Sequence, residues 1–149
     1  MDVRKSSDMA PGTGSLPLTD VVYAVLGLNF LKRKAEGFTQ IARDLVYVGI
    51  KSLVDRHPEY FPNVYFRKRG RLMHSKSVED TLFRLGGVLT VRNPRHQYLS
   101  FNDSELPHVE KIIRERFSPS IRAIIEQLAD EFYEKVKEEE EWYAKRYST

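Results

Sequence analysis

The 149-residue chain reads as mostly α with a small β-hairpin, and three features of the sequence predict that class. Apolar residues recur at three- and four-residue spacing through most of the chain, which is helical periodicity. After Gly86-Gly87 the period changes to two: Leu89, Val91, Leu99 and Phe101 alternate with Thr90, Arg92, Tyr98 and Ser100 on either side of Asn93-Pro94-Arg95-His96. Beyond Pro119 a helical stripe then runs almost to the end of the chain.

Residues 1–18 are polar and broken by Pro11, Gly12, Gly14 and Pro17, so a disordered tail is expected there. The first helix should open at Thr19 or Asp20, either of which can cap free N–H groups, and run to Ala35. Its stripe is Val22, Val25, Leu26, Asn29 and Phe30; Lys32, Arg33 and Lys34 suit its negative end, and Gly37 stops it. A second helix is expected from Thr39 to Arg56, with Ile41, Leu45, Val48, Leu53 and Val54 on one side and Pro58 beyond its end. Residues 57–75 carry four aromatics and the run Arg67-Lys68-Arg69-Gly70-Arg71, and read as a packed irregular connection with a short extended piece at 64–66.

The third helix starts at Ser75 or Ser77 and continues to Leu85, with Val78, Leu82 and Leu85 toward the core. The hairpin at 89–101 follows, its turn set by Pro94. A helix from Ser104 through Phe117 comes next, and Ser118-Pro119-Ser120 caps the final helix, which reaches Tyr147. The domain organisation expected is a tail at 1–18, a folded domain at 19–102 and a C-terminal helical extension at 103–149.

Hydrophobic residues at 41% suffice for one modest core. No apolar run approaches the roughly 20 residues of a membrane span, so a soluble chain with no membrane partner is expected. No apolar leader precedes residue 18, and the chain has no cysteine, which rules out a disulfide framework, a thiolate zinc site and a cysteine nucleophile. The cytoplasm is the expected compartment. His57, His74, His96 and His108 lack metal-ligand spacing, and no phosphate-cradling glycine loop or nucleophile arrangement is visible. Neither a metal, a cofactor nor an enzymatic activity is expected.

The net charge is only +3, but it is unevenly spread. Residues 61–102 hold eight basic side chains against two acidic ones, whereas residues 103–149 hold eight basic against twelve acidic. A polyanion is steered to the first block and repelled by the second. Candidate nucleic-acid contacts are therefore Arg67, Lys68, Arg69, Arg71, Lys76, Arg84, Arg92, Arg95, His96 and Gln97. The guanidinium groups of 67–71 suit phosphate oxygens, and the last four residues cluster near the hairpin tip. Glu79 and Asp80 are an obstacle, because two carboxylates in one turn of the third helix repel phosphate.

Three helices running into a two-stranded hairpin, with Ser77 to Phe101 as the best motif and Gly37-Phe38-Thr39-Gln40-Ile41-Ala42-Arg43-Asp44-Leu45 opening the second helix, resemble the winged helix-turn-helix superfamily over residues 19–102. The general layout is similar to dimeric PadR- and MarR-type regulators. The resemblance implies a third helix in the major groove of double-stranded DNA, a hairpin along the backbone or in the minor groove, and a role in transcription regulation. About 20 residues separate the second and third helices, where a compact helix-turn-helix uses three or four.

The final stripe, Ile121, Ile124, Ile125, Leu128, Phe132 and Val136 followed by Trp142, spans about 40 Å at the helical rise. That is more than a core of this size is expected to cover, so a homodimer through these residues is expected; the simpler arrangement is a helix folded back over its own domain. Two other functions fit the same composition. An adaptor meeting an acidic protein would expose Phe83 and the aromatics of 60–66, which the DNA reading expects to be buried. A single-strand or RNA binder would stack bases on Tyr65, Phe66 and Tyr98.

Overall fold

A computed structural model describes residues 16–70, 72–92 and 98–147. Most of the expected tail, Arg71, and the hairpin turn with Arg95, His96 and Gln97 lie outside the described residues. The chain is mostly helical, with a small antiparallel hairpin and a long C-terminal helix.

Helix α1 spans Leu18–Ala35. Pro17, not Thr19, takes the N-cap position and supplies no side-chain hydrogen bond. Gly37 adopts φ +92°, the left-handed conformation that only glycine enters cheaply. The turn is closed by the Phe38 N–H donating to the Arg33 carbonyl at 2.8 Å.

The second helix, α2, begins four residues later than its periodicity suggests, at Arg43, and ends at Arg56. Ile41–Ala42 instead form a short strand, β1. Ile41 and Ala42 pair with Leu99 and Tyr98, a partnership that local spacing cannot register. The buried side of α2 is also rotated: Val46, Ile50 and Leu53 are buried, whereas Val48 is only half-buried.

Between α2 and α3 the expected irregular connection contains a hairpin of its own. Strands β2 (Arg67–Arg69) and β3 (Leu72–His74) pair antiparallel, with Gly70 at φ +64° in the turn. The piece expected to be extended at 64–66 immediately precedes β2. Ser75 then caps α3 (Lys76–Arg84), its hydroxyl accepting from the Val78 N–H at 3.3 Å. Val78, Leu82 and Leu85 are buried, as their spacing requires.

A short 3-10 turn at Leu85–Gly87 leads into β4 (Leu89–Arg92), which pairs antiparallel with β5 (Tyr98–Phe101). The three-stranded sheet has the order β1-β5-β4, so β5 is central and both expected hairpin strands lie in one sheet with the unexpected β1. A 3-10 turn at Leu106–His108 precedes α4 (Val109–Arg116), dividing the helix expected from Ser104.

Helix α5 (Pro119–Tyr147) crosses both α1 and α2. Ile121, Ile125, Leu128, Phe132 and Val136 are buried within the single chain, and Ile124 is half-buried against the same core. The stripe is thus covered by the chain's own helices, contrary to the expectation that it needs a partner helix. Gly49 makes the close approach possible, since a Cβ there would lie 2.5 Å from the Phe132 ring. Of the seven residues expected at a dimer interface, Trp142 alone is well exposed, at 50%.

Charged groups fix the long helix along its length. Buried Arg33 donates to both carboxylate oxygens of Glu140, at 2.8 and 2.9 Å, and to the Gln40 carbonyl at 3.0 Å. One guanidinium therefore joins α1, α5 and the approach to β1. One helical turn and more away, the Tyr133 hydroxyl donates to Glu36 while Lys32 lies over its ring, 3.9 Å from the centroid. Nearer the other end His57 meets Glu131 at 2.9 Å. Burial pushes the Glu131 carboxyl up, but hydrogen bonds from Gln127, His57 and Arg56, with the charge of His57, outweigh it and hold it below the usual range.

Candidate nucleic-acid interface

Helix α3 is flanked by a hairpin at each end, β2–β3 entering it and β4–β5 leaving it. The capped start and the 3-10 exit fix its position, because Val78, Thr81 and Leu82 are buried while Lys76, Phe83 and Arg84 are exposed. Its exposed side is therefore short: about two turns framed by antiparallel ribbons.

Arg67, Lys68 and Arg69 are all exposed on β2. Their register opposite His74, Met73 and Leu72 spaces three cations along one extended strand beside the start of α3. Extended backbone sends successive side chains to opposite faces, so Arg67 and Arg69 share one face and Lys68 takes the other. Arg71 falls outside the described residues; Arg92 is placed by its backbone, opposite Tyr98 at the outer end of the sheet.

The two carboxylates on α3 are paired within the interface. Lys76 Nζ lies 2.9 Å from Asp80 and 4.0 Å from Glu79, and His74 Nε2 lies 3.7 Å from Glu79. The hydrogen bond to Asp80 and that carboxylate's charge, with Glu79 adding to them, hold the Lys76 ammonium above its ordinary value. Exposed pairs of this kind are weak and rearrange readily. They nevertheless reduce the repulsion that the sequence alone leads one to expect.

Exposure of the aromatics is divided. Phe83 is 86% and Tyr65 74% exposed, as a protein partner requires, whereas Phe61 is 5% exposed and Tyr60 and Phe66 are half-buried, closer to what DNA binding requires. Among the described residues the other large exposed apolar side chains are Phe38 in the connection before β1, Leu72 on β3 and Trp142 on α5.

Two residues absent from the sequence-based candidates also sit here. Arg43 and Tyr47, on the first turns of α2, line a cleft of about 250 Å³ together with Asp44, Arg69, His74 and Glu79. The Arg43 guanidinium is 6.0 Å from the Tyr47 ring centroid, and the His74 ring packs on the same phenol at 5.2 Å. Starting the second helix at Thr39 hides Arg43 in mid-helix; its position at a helix start is apparent only once β1 is known. Among the described residues no group of three or more histidine or acidic side chains is arranged to hold a metal ion, and no helix is long and apolar enough to cross a membrane. The chain matches no known family model, curated protein or solved structure.

Proposed function

We propose that the chain is a winged-helix DNA-binding protein, a transcriptional regulator that holds duplex DNA mainly through its phosphate backbone. The observation that carries this reading is α3 set between two antiparallel hairpins, with Arg67, Lys68 and Arg69 exposed on one of them and Arg84 at the end of the helix. The pairing of β1 with β5 supports it further, because it ties the β4–β5 hairpin to the segment that leads into α2. Phosphate contacts by guanidinium groups position a protein without reading sequence.

Assembly as a dimer draws its support from the end of α5 alone. Glu140 is held by Arg33 of α1, and half-exposed Trp142 lies on the continuation of the helix. Two copies joined there would present two third helices to adjacent turns of a duplex.

Phe83 favours a second reading, an adaptor whose α3 face meets an acidic protein, because so exposed an aromatic on a well-formed helix is the kind of anchor that protein interfaces use. One assay separates the two. Random-sequence duplex is titrated with salt against protein of measured solution mass, and binding should be evident at about 50 mM salt and fall steeply by about 200 mM. Absence of binding at the lowest salt overturns the DNA reading and leaves the adaptor.

A further inference from the structure

A second cleft, of about 460 Å³, lies between α3, the start of α2 and the β4–β5 hairpin. Leu82, Leu89 and Leu99 line it and are themselves buried, and Phe83 stands beside them largely exposed. The charges around it balance, Arg43 and Lys76 against Glu79 and Asp80, and Lys76 lies 2.9 Å from Asp80. A space without net charge gives a phosphate little electrostatic reason to enter. What this one offers a ligand is apolar surface.

The fold does not need the Phe83 ring, because α3 is held to the core through Val78, Thr81 and Leu82. In the DNA-binding reading α3 faces the duplex between cations that meet phosphate, Arg67, Lys68 and Arg69 on β2 before it and Arg84 at its end. The major groove is wide enough to admit one α-helix, and the only methyl group that the base edges present there is the 5-methyl of thymine. Reading a base through Glu79 or Asp80 would break their pairs with Lys76 and His74, whereas reading one through Phe83 breaks none.

We infer that Phe83, with the leucines of this cleft behind it, covers the 5-methyl group of thymine in the major groove and so gives the protein a preference for A·T pairs. The inference rests on the DNA-binding reading and adds base selection to a surface otherwise built for phosphate. Ring and methyl gain by leaving water together, and neither carries charge, so the contact is independent of salt.

The test uses the full chain with an alternating A·T duplex and with the same duplex carrying uracil for thymine, which removes the methyl and keeps the base pairing. The wild-type chain is expected to bind the thymine duplex about fourfold more tightly for each methyl covered. In Phe83→Ala the affinity for the thymine duplex should fall to that for the uracil duplex, with the salt slope unchanged because the ring meets no phosphate. The residue is exposed, so the variant should fold, and thermal melting checks it. Equal wild-type affinity for the two duplexes overturns the inference. So does a preference that survives in Phe83→Ala, because it would come from the shape of the duplex rather than from the ring. An equal loss of affinity for both duplexes in that variant overturns it too, by placing the ring against a base step. If the wild-type chain binds neither duplex even at about 50 mM salt, the DNA reading itself has failed, a result distinct from binding both equally.

Discussion

Arg33 and Arg69 have the same side chain and opposite surroundings. Arg33 is buried in the helical layer and its guanidinium is held by Glu140 and the Gln40 carbonyl. Arg69 stands exposed on a three-residue strand beside a cleft. The same division extends to apolar groups: Phe132 is fully buried against Gly49, whereas Phe83 is 86% exposed on α3. The α1–α2–α5 layer buries its apolar stripe and pairs Arg33 with Glu140 internally. The α3 side with its two hairpins leaves both turned outward, which is where a partner can gain free energy by covering them.

Four variants test that division. Phe132→Ala should have the largest effect on stability, a loss of roughly 3–5 kcal/mol by urea denaturation, because the cavity would open in the middle of the helical layer. A change in solution mass with little loss of stability would mean instead that the stripe serves assembly. Glu140→Gln comes next at roughly 1–3 kcal/mol, since it leaves the buried Arg33 guanidinium facing a neutral amide.

Tyr133→Phe should cost about 1 kcal/mol near neutral pH. The hydrogen bond to Glu36, burial and that carboxylate's charge push the phenol up to about 12, above its ordinary 10.0. The folded value is the higher one, so the contribution is complete below the unfolded value and disappears as pH rises through the folded one. Chemical denaturation of wild type and variant should therefore converge between about pH 10 and 12, and a constant difference across that window would break the assignment.

The smallest effect on stability belongs to the outward side. Replacing Arg67, Lys68 and Arg69 together with alanine should change stability by no more than about 0.5 kcal/mol. The same variant should weaken duplex binding and flatten its salt slope. Unchanged binding would remove the β2–β3 hairpin from the interface, and a large loss of stability would remove the contrast between the two sides.

Much of this organisation is legible in local sequence. The extents of α1, α3 and α5 follow from three- and four-residue periodicity and from the stops and caps at Gly37, Ser75 and Ser118; Ser118 accepts from the Ile121 N–H at 3.4 Å as its spacing before the last helix suggests. The β4–β5 strands follow from alternation, and the cationic block from composition. The strand at Ile41–Ala42 is not legible, because its hydrogen-bonding partners are Leu99 and Tyr98, far along the chain. Nor is the cleft: Arg43, Tyr47, Arg69 and His74 come from two segments whose proximity no local pattern encodes.

Local sequence dictates which residues form helix, which form strand, and where positive charge accumulates, because periodicity, capping and charge are properties of neighbours along the chain. Tertiary structure decided where those elements spend their surfaces. Whether the long apolar stripe of α5 faced a second copy or its own core depended on the space beside Gly49. Whether the Arg33 guanidinium met solvent or Glu140 depended on how α1 and α5 met. Those outcomes follow from packing between distant segments, and packing is a property of the folded chain as a whole.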